Sequence, residues 1–175
     1  RRSSDLVIWV GNLAKGELGT STKFKLPVSE IIGDYVWNTF LLNLVSLVIG
    51  IGLSIPIGIK QATKKFSKFD NFWTVFSLLG VSVPTFFFAL ILIFFVALPS
   101  GVIPVNGMRT PDLAVFGYDN IFQEIGDVAL HMLLPTIVLA FGNFATFSRY
   151  VRSSMIDVIN QDYVQTARAK GLKEK

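Results

Sequence analysis

The chain offers few groups for covalent chemistry. His131 is the only histidine among 175 residues and there is no cysteine, so no thiolate or histidine cluster exists to hold a metal. A hydrolase needs a nucleophile and a base in one site, and neither a Gly-x-Ser-x-Gly turn nor a second imidazole is present. Nor is there a Gly-rich loop ending in Lys-Ser or Lys-Thr to cradle the phosphates of a nucleotide. The chain is therefore not expected to be an enzyme on its own, or to bind a metal or cofactor. Its polar groups are spaced for contact instead. Thr39, Asn43, Ser46, Gly50, Ser54 and Gly58 recur at steps of three or four residues in one apolar tract, and Thr136, Ala140, Asn143 and Thr146 do so in another. Asn and Ser need partners in hydrocarbon, so each stripe packs helices closely or lines a wet pathway. Asn143, the deepest polar group of its tract, is expected to hydrogen-bond across helices or face that pathway.

The closing stretch, residues 161–175 (QDYVQTARAKGLKEK), is the other place where types and spacing suggest an interaction. Val164, Ala167 and Arg168, with Tyr163 one position before, share a helical face, and Ala, Gln, Arg and Lys suit a helix interior. Asp162 can cap its start. Gly171 fits its stop, because glycine tolerates the left-handed conformation that ends many helices. A short helix of small Ala and Thr beside a Tyr presents a low-relief surface that another protein can approach. The alternative is a solvated tail that binds anionic lipid through Arg168, Lys170, Lys173 and Lys175.

These groups must be positioned by membrane helices. Hydrophobic residues make up 51% of the chain and charged ones 16%, against about 25% charged in an ordinary soluble domain, and the mean hydropathy is +0.55. Three apolar tracts read as transmembrane helices at 36–59, 72–98 and 128–150, the first about 36 Å long against a hydrocarbon core of about 30 Å. Pro56 is expected to kink or end the first helix near its inner end, and Pro84 to kink the second, with Ser77 and Gly80 on a similar face. Phe86, Phe87, Phe88, Phe94 and Phe95 read as a lipid or packing surface rather than an aromatic cage. Residues 60–71 carry Lys60, Lys64, Lys65 and Lys68 against Asp70, whereas 99–127 carry Arg109 against Asp112, Asp119, Glu124 and Asp127. The positive-inside rule makes the first loop cytoplasmic and the second external, which accounts for the net charge of +4 without nucleic acid. Residues 1–35 then form an external segment, polar and irregular, with Gly11, Gly16, Gly19 and Gly33 breaking any long helix, and 151–175 a cytoplasmic region. Residues 118–125 are expected to form a short amphipathic helix with Ile121, Phe122 and Ile125 inward. His131 reads as an interfacial histidine, and Arg149 and Arg152 as side chains that snorkel to the cytoplasmic surface.

The run Asp162-Tyr163-Val164-Gln165-Thr166-Ala167-Arg168-Ala169-Lys170-Gly171-Leu172 resembles the cytoplasmic loop of the membrane subunits of binding-protein-dependent ABC importers, specifically the dipeptide/oligopeptide permease group. In that family a Glu-Ala-Ala-x-x-x-Gly pattern forms the coupling helix that docks onto the ATPase subunit. Here Ala167 and Gly171 match the pattern, Gln165 and Thr166 depart from it, and Thr-Ala-Arg-Ala-Lys-Gly-Leu is similar to the peptide-group form. Three other phrases resemble the same group: Leu13 to Ser21 with Pro27-Val28, Gly80 to Phe86, and Ile103 to Gly107.

The resemblance implies an all-α integral membrane fold, in which the three transmembrane helices are the second to fourth of a six-helix ABC importer permease core and the coupling region is cut short at Lys175. It implies ATPase docking by Asp162, Tyr163, Gln165, Thr166, Ala167, Arg168, Ala169, Lys170 and Gly171, and a share in a translocation pathway for peptides. ATP and Mg would be bound by partner ATPase subunits. The other partners implied are a second permease subunit, identical or homologous, an extracytoplasmic substrate-binding protein and membrane lipid, in a bacterial or archaeal cytoplasmic membrane. Relatives in the group carry nickel or glutathione, and the sequence does not choose among these cargoes. A passive channel or membrane scaffold, the other class such spans allow, would need no docking surface of this kind.

Overall fold

Long apolar runs must satisfy their backbone groups internally in a bilayer, and the chain does so as helices. The computed structural model describes residues 2–171, without the side chains of 2–5 and 34. The helices are α1 (Arg2–Ala14), α2 (Val28–Thr63), α3 (Lys68–Ser82), α4 (Thr85–Leu92), a π-helical turn (Ile93–Ala97) leading into α5 (Leu98–Ser100), then α6 (Pro111–Phe116), α7 (Ile121–Ile159) and α8 (Asp162–Ala169). No strand occurs among the described residues beyond an isolated bridge between Thr20 and Pro27. Leu172, Lys173 and Lys175 lie outside the described residues. The chain forms two compact units, Arg1–Leu41 and Leu42–Lys175.

The first unit corrects the expectation of an irregular segment. α1 runs through Gly11 and α2 through Gly33. An interior glycine costs a helix only about 1 kcal/mol, which does not stop one by itself. The chain turns between the helices instead, where Gly16 and Gly19 adopt φ of +84° and +73°.

The second unit holds the packed helices. α2 and α7 are each long and apolar enough to cross a membrane, and α3 with α4–α5 is a third span only if the pair, bent by 103°, is counted as one. The expected kink at Pro84 is thus a break. Val83, restricted by the proline after it, takes an extended conformation (φ −82°, ψ 125°), and its N–H makes the last bond of α3 to Leu79 O at 2.9 Å before Pro84 leads into α4 as its N-cap. Pro56 does not end α2, which continues to Thr63. The helix expected at 118–125 is not a separate one: it starts at Ile121 as the first turn of α7, on which Ile121, Phe122 and Ile125 are exposed. Asn120 caps that start, its side chain accepting the Gln123 N–H at 2.9 Å.

α7 is the axis of this unit. Gly50 and Gly58 of α2 lie against Asn143 and Val151, so the two helices run parallel, whereas Gly80 and Ser77 of α3 lie against Ala145 and Ser148, so that pair runs antiparallel. The contacts are close: a Cβ built on Gly50 would be 2.6 Å from Asn143 Cβ, and one on Gly80 would be 2.6 Å from Ala145 Cβ. No side chain fits at either point, and backbone proximity replaces interdigitation. Ser77 and Ser148, both buried, share a hydrogen bond of 2.8 Å between α3 and α7. Beside this seam Trp73 and Phe76 pack on Phe144 and Phe141, and Phe88 packs on Phe141 at 4.9 Å between ring centres. Phe86, Phe87, Phe94 and Phe95 are exposed.

Candidate coupling and translocation surfaces

The direction of α2, α3 and α7 gathers Lys60, Lys64, Lys65, Lys68, Arg149 and Arg152 at one end of the unit, the basic end. The single acid of that loop is not at the surface. Asp70 is 1% exposed, and its carboxylate accepts two hydrogen bonds from Arg152, from Nε at 2.7 Å and Nη2 at 2.8 Å. The two parallel bonds are the strongest geometry a guanidinium can make. Gln61 Nε2 and Thr74 Oγ1 also donate to Asp70 Oδ1, each at 3.4 Å, and the Phe66 N–H donates to Oδ2 at 3.0 Å. Ser67 caps α3, accepting the Asp70 N–H at 3.2 Å. One carboxylate therefore ties the end of α2, the loop and the start of α3 to α7. The expectation that Arg152 snorkels to the surface is corrected: its side chain is 26% exposed and turned onto Asp70. Isolated charges in a sequence do not show which of them will meet, because the partners are separated by 82 positions.

α8 follows α7 after a short turn. Its N-cap is Gln161, with no side-chain capping bond, so Asp162 is the first helical residue rather than the cap and there favours the positive end of the helix dipole. Thr166 Oγ1 donates back to Asp162 O at 2.8 Å. Val164 and Ala167 are half-buried, while Asp162, Tyr163, Gln165, Thr166, Arg168, Ala169, Lys170 and Gly171 are exposed. Gly171 has φ of +74° and its N–H reaches Arg168 O at 2.9 Å, which ends the helix as glycine does at this position.

The two polar stripes divide. Ser46, Gly50, Ser54 and Gly58 are buried, with Ser54 Oγ donating to Gly50 O at 2.6 Å and to Phe144 O of α7 at 3.3 Å. Thr39 and Asn43 are exposed. On α7, Thr136 and Ala140 are buried, and Asn143 and Thr146 are half-buried, with Thr146 Oγ1 held by Gly142 O at 3.1 Å. The Thr136 hydroxyl has no hydrogen-bond partner among the described residues.

At the opposite, acidic end, Asp127 does what the sequence did not reveal. Its carboxylate accepts Thr110 N–H at 2.9 Å, Thr110 Oγ1 at 2.6 Å and Tyr118 Oη at 2.8 Å. Burial and the Asp127 carboxylate hold the Tyr118 hydroxyl above its ordinary pKa. Asp127 thereby fastens the segment carrying α6 to α7. His131 is 5% exposed, with Nδ1 2.8 Å from Asp127 O. It faces a cavity of about 420 Å³ lined also by Ala89, Ile93, Asn106, Leu134 and Val138, with the π-helical turn supplying Ile93. No group of three or more metal-ligating side chains occurs among the described residues.

Residues 54–175 match the family described as binding-protein-dependent transport system inner membrane component. The chain is 43% identical to the oligopeptide transport system permease protein AppB of Bacillus subtilis (strain 168), over 95% of this chain and 50% of that protein. It is 32% identical to the dipeptide transport system permease protein DppB of Escherichia coli (strain K12), over 94% and 52%. With the inner membrane ABC transporter permease protein YejB of Escherichia coli O157:H7 it shares 34% identity over 89% and 40%. The chain spans about half the length of the first two of these relatives.

Proposed function

Because the chain belongs to the family of binding-protein-dependent transport system inner membrane components, we propose that it is part of the membrane subunit of an ATP-driven peptide importer. The names of the relatives, for oligopeptide and dipeptide transport, support peptide as the cargo. The observation that carries the reading is α8, a short helix with an exposed face, closed by Gly171 and joined to a helix long enough to cross the membrane. In this reading α8 docks on an ATPase subunit, which holds the ATP and Mg, and the basic end lies in the cytoplasm. Tyr163, Thr166 and Lys170, at helical spacing on the exposed face, make the central contact. Closure of two ATPase subunits moves α8, and α7 passes the motion into the bilayer. The Asp70 to Arg152 pair makes α3 and the end of α2 move with it, since charged groups so held separate only at a cost. Thr39 and Asn43 are left for the pathway, shared with a second permease subunit, while Ser46, Gly50, Ser54, Gly58 and Ala140 serve packing. Asn143, Thr146 and Thr136 stand at the border between the two roles. A binding protein on the outer face of the inner membrane delivers the cargo to the acidic end.

The test is co-purification of the full-length permease with its cognate ATPase subunits. Thr166→Glu with Gly171→Arg is expected to lower ATPase retention at least about tenfold, as loss of a central contact does, while the variant still inserts in the membrane. Equal retention by both forms would remove the docking role from α8.

A further inference from the structure

The loop between α2 and α3 holds a bulky aromatic residue in a conformation that side chains avoid. Phe66 has φ of +64° and is 78% exposed. A non-glycine residue in the left-handed region is strained, and such strain persists where the surroundings enforce it. Here the enforcing group is Asp70, whose Oδ2 accepts the Phe66 N–H at 3.0 Å. The same carboxylate is occupied by Arg152 and faces inward. Its negative charge is thus removed from the loop surface, and Lys60, Lys64, Lys65 and Lys68, all exposed, are left with no acid among them on residues 60–71. Lys65 Nζ lies 4.9 Å from the centre of the Phe66 ring. An outward ring beside Lys65, on a loop that carries further exposed lysines, joins an apolar wedge to a positive field.

We propose that the Lys64–Lys68 loop, with Phe66 at its tip, is a binding site for anionic phospholipid headgroups. Level along the bundle favours lipid over a protein partner. The loop is anchored at the height of Arg152, where Arg149 and Tyr150 on α7 are also exposed, and bases beside aromatic rings mark the membrane–water boundary. α7 continues from Arg152 to Ile159, about 10 Å farther, before α8 begins. A protein seated on α8 is therefore a step farther from the bilayer than Phe66. Phe66 enters the boundary between headgroups and acyl chains, and the lysines meet the phosphates. The inference rests on the membrane placement of the family and not on the cargo or on docking through α8, so failure of the α8 test leaves it intact.

The experiment uses the full-length permease in lipid nanodiscs of phosphatidylcholine alone, or of phosphatidylcholine and phosphatidylglycerol in equal parts. This stretch of the chain has no cysteine, so Lys64→Cys in a background free of other thiols takes one fluorophore, read by quenching from lipids spin-labelled near the headgroup. Quenching is expected to be stronger with phosphatidylglycerol, to weaken in high salt, and to fall on adding Phe66→Ser. Neutralising Lys65 and Lys68 is expected to weaken the association roughly fivefold per lysine. Quenching equal in both lipid mixtures would overturn the proposal. So would a label that stays in water until ATPase subunits are added, because the loop would then be a protein contact. The melting temperature of each variant separates loss of lipid from loss of fold, and a Phe66→Ser protein that melts normally yet is quenched as wild type also refutes the role of the ring.

Discussion

The pair formed by Asp70 and Arg152 predicts an asymmetry between its two halves. The two side chains share two hydrogen bonds, yet the Asp70 side chain is 2% exposed while that of Arg152 retains 26% of its surface. Changing Arg152→Gln leaves a buried carboxylate with only the Phe66 N–H and the longer Gln61 and Thr74 contacts. Breaking a buried pair in this way costs about 3–5 kcal/mol. Changing Asp70→Asn turns one of the two accepting oxygens into an amide NH2 that faces donors, so an Arg152 bond is lost with the charge, but the guanidinium left behind still reaches the other oxygen and water, and the cost is about 2 kcal/mol. The double variant removes both charges and is expected to be more stable than Arg152→Gln alone, with a coupling of about 2–3 kcal/mol. The assay is equilibrium unfolding of the purified full-length permease in mixed micelles as denaturing detergent is added, followed by tryptophan fluorescence. Trp73 packs on Phe144 at 5.3 Å and reports separation of α3 from α7. Two results would refute the reasoning: Asp70→Asn as costly as Arg152→Gln, or a double variant equal to the sum of the singles within about 0.5 kcal/mol.

Three further outcomes follow from local geometry. Gly50→Ala places a Cβ 2.6 Å from Asn143 Cβ and is expected to destabilise by about 1–3 kcal/mol, whereas Gly52→Ala, with nothing within 4 Å, is not; the same unfolding assay compares them. Pro84→Ala restores a backbone donor and frees Val83 from its extended conformation, so the 103° bend should open, read as a longer distance between spin labels placed on α3 and α4. Asp127→Ala removes the acceptor shared by Thr110 and Tyr118 and is expected to expose the segment before α7 to protease, with cleavage mapped by mass spectrometry.

The helical, membrane-bound nature of the chain was legible because it is written in local composition: uncharged tracts of spanning length and small residues at helical steps. Gly171 was legible for the same reason, since a helix stop depends on its own backbone. What stayed hidden depends on pairs distant in sequence. Asp70 looked like one more loop charge until Arg152 turned inward to meet it, and Asp127 looked like a solvated acid until Thr110 and Tyr118 closed on it. The ends of the helices moved for a different reason. Charged residues such as Lys60 were read as loop, but a helix that leaves the hydrocarbon has no reason to unwind there, and α2 keeps its hydrogen bonds through to Thr63. The break at Pro84 was foreseen in place but not in size, because the size reflects the conformation forced on Val83 as well as the missing donor.

The close contact of Gly50 with Asn143 divides α7 unequally. From Ile121 to Asn143 the helix rises about 33 Å, and from Asn143 to Ile159 about 24 Å. Gly58 repeats the contact against Val151 eight residues farther on, so the seam runs about 12 Å along both helices, and the stretches of α7 on either side of Asn143 differ by a factor of about 1.4. Two close contacts on one face leave α2 and α7 no room to slide or pivot on each other, so the pair is built to move, if it moves, as one rigid body.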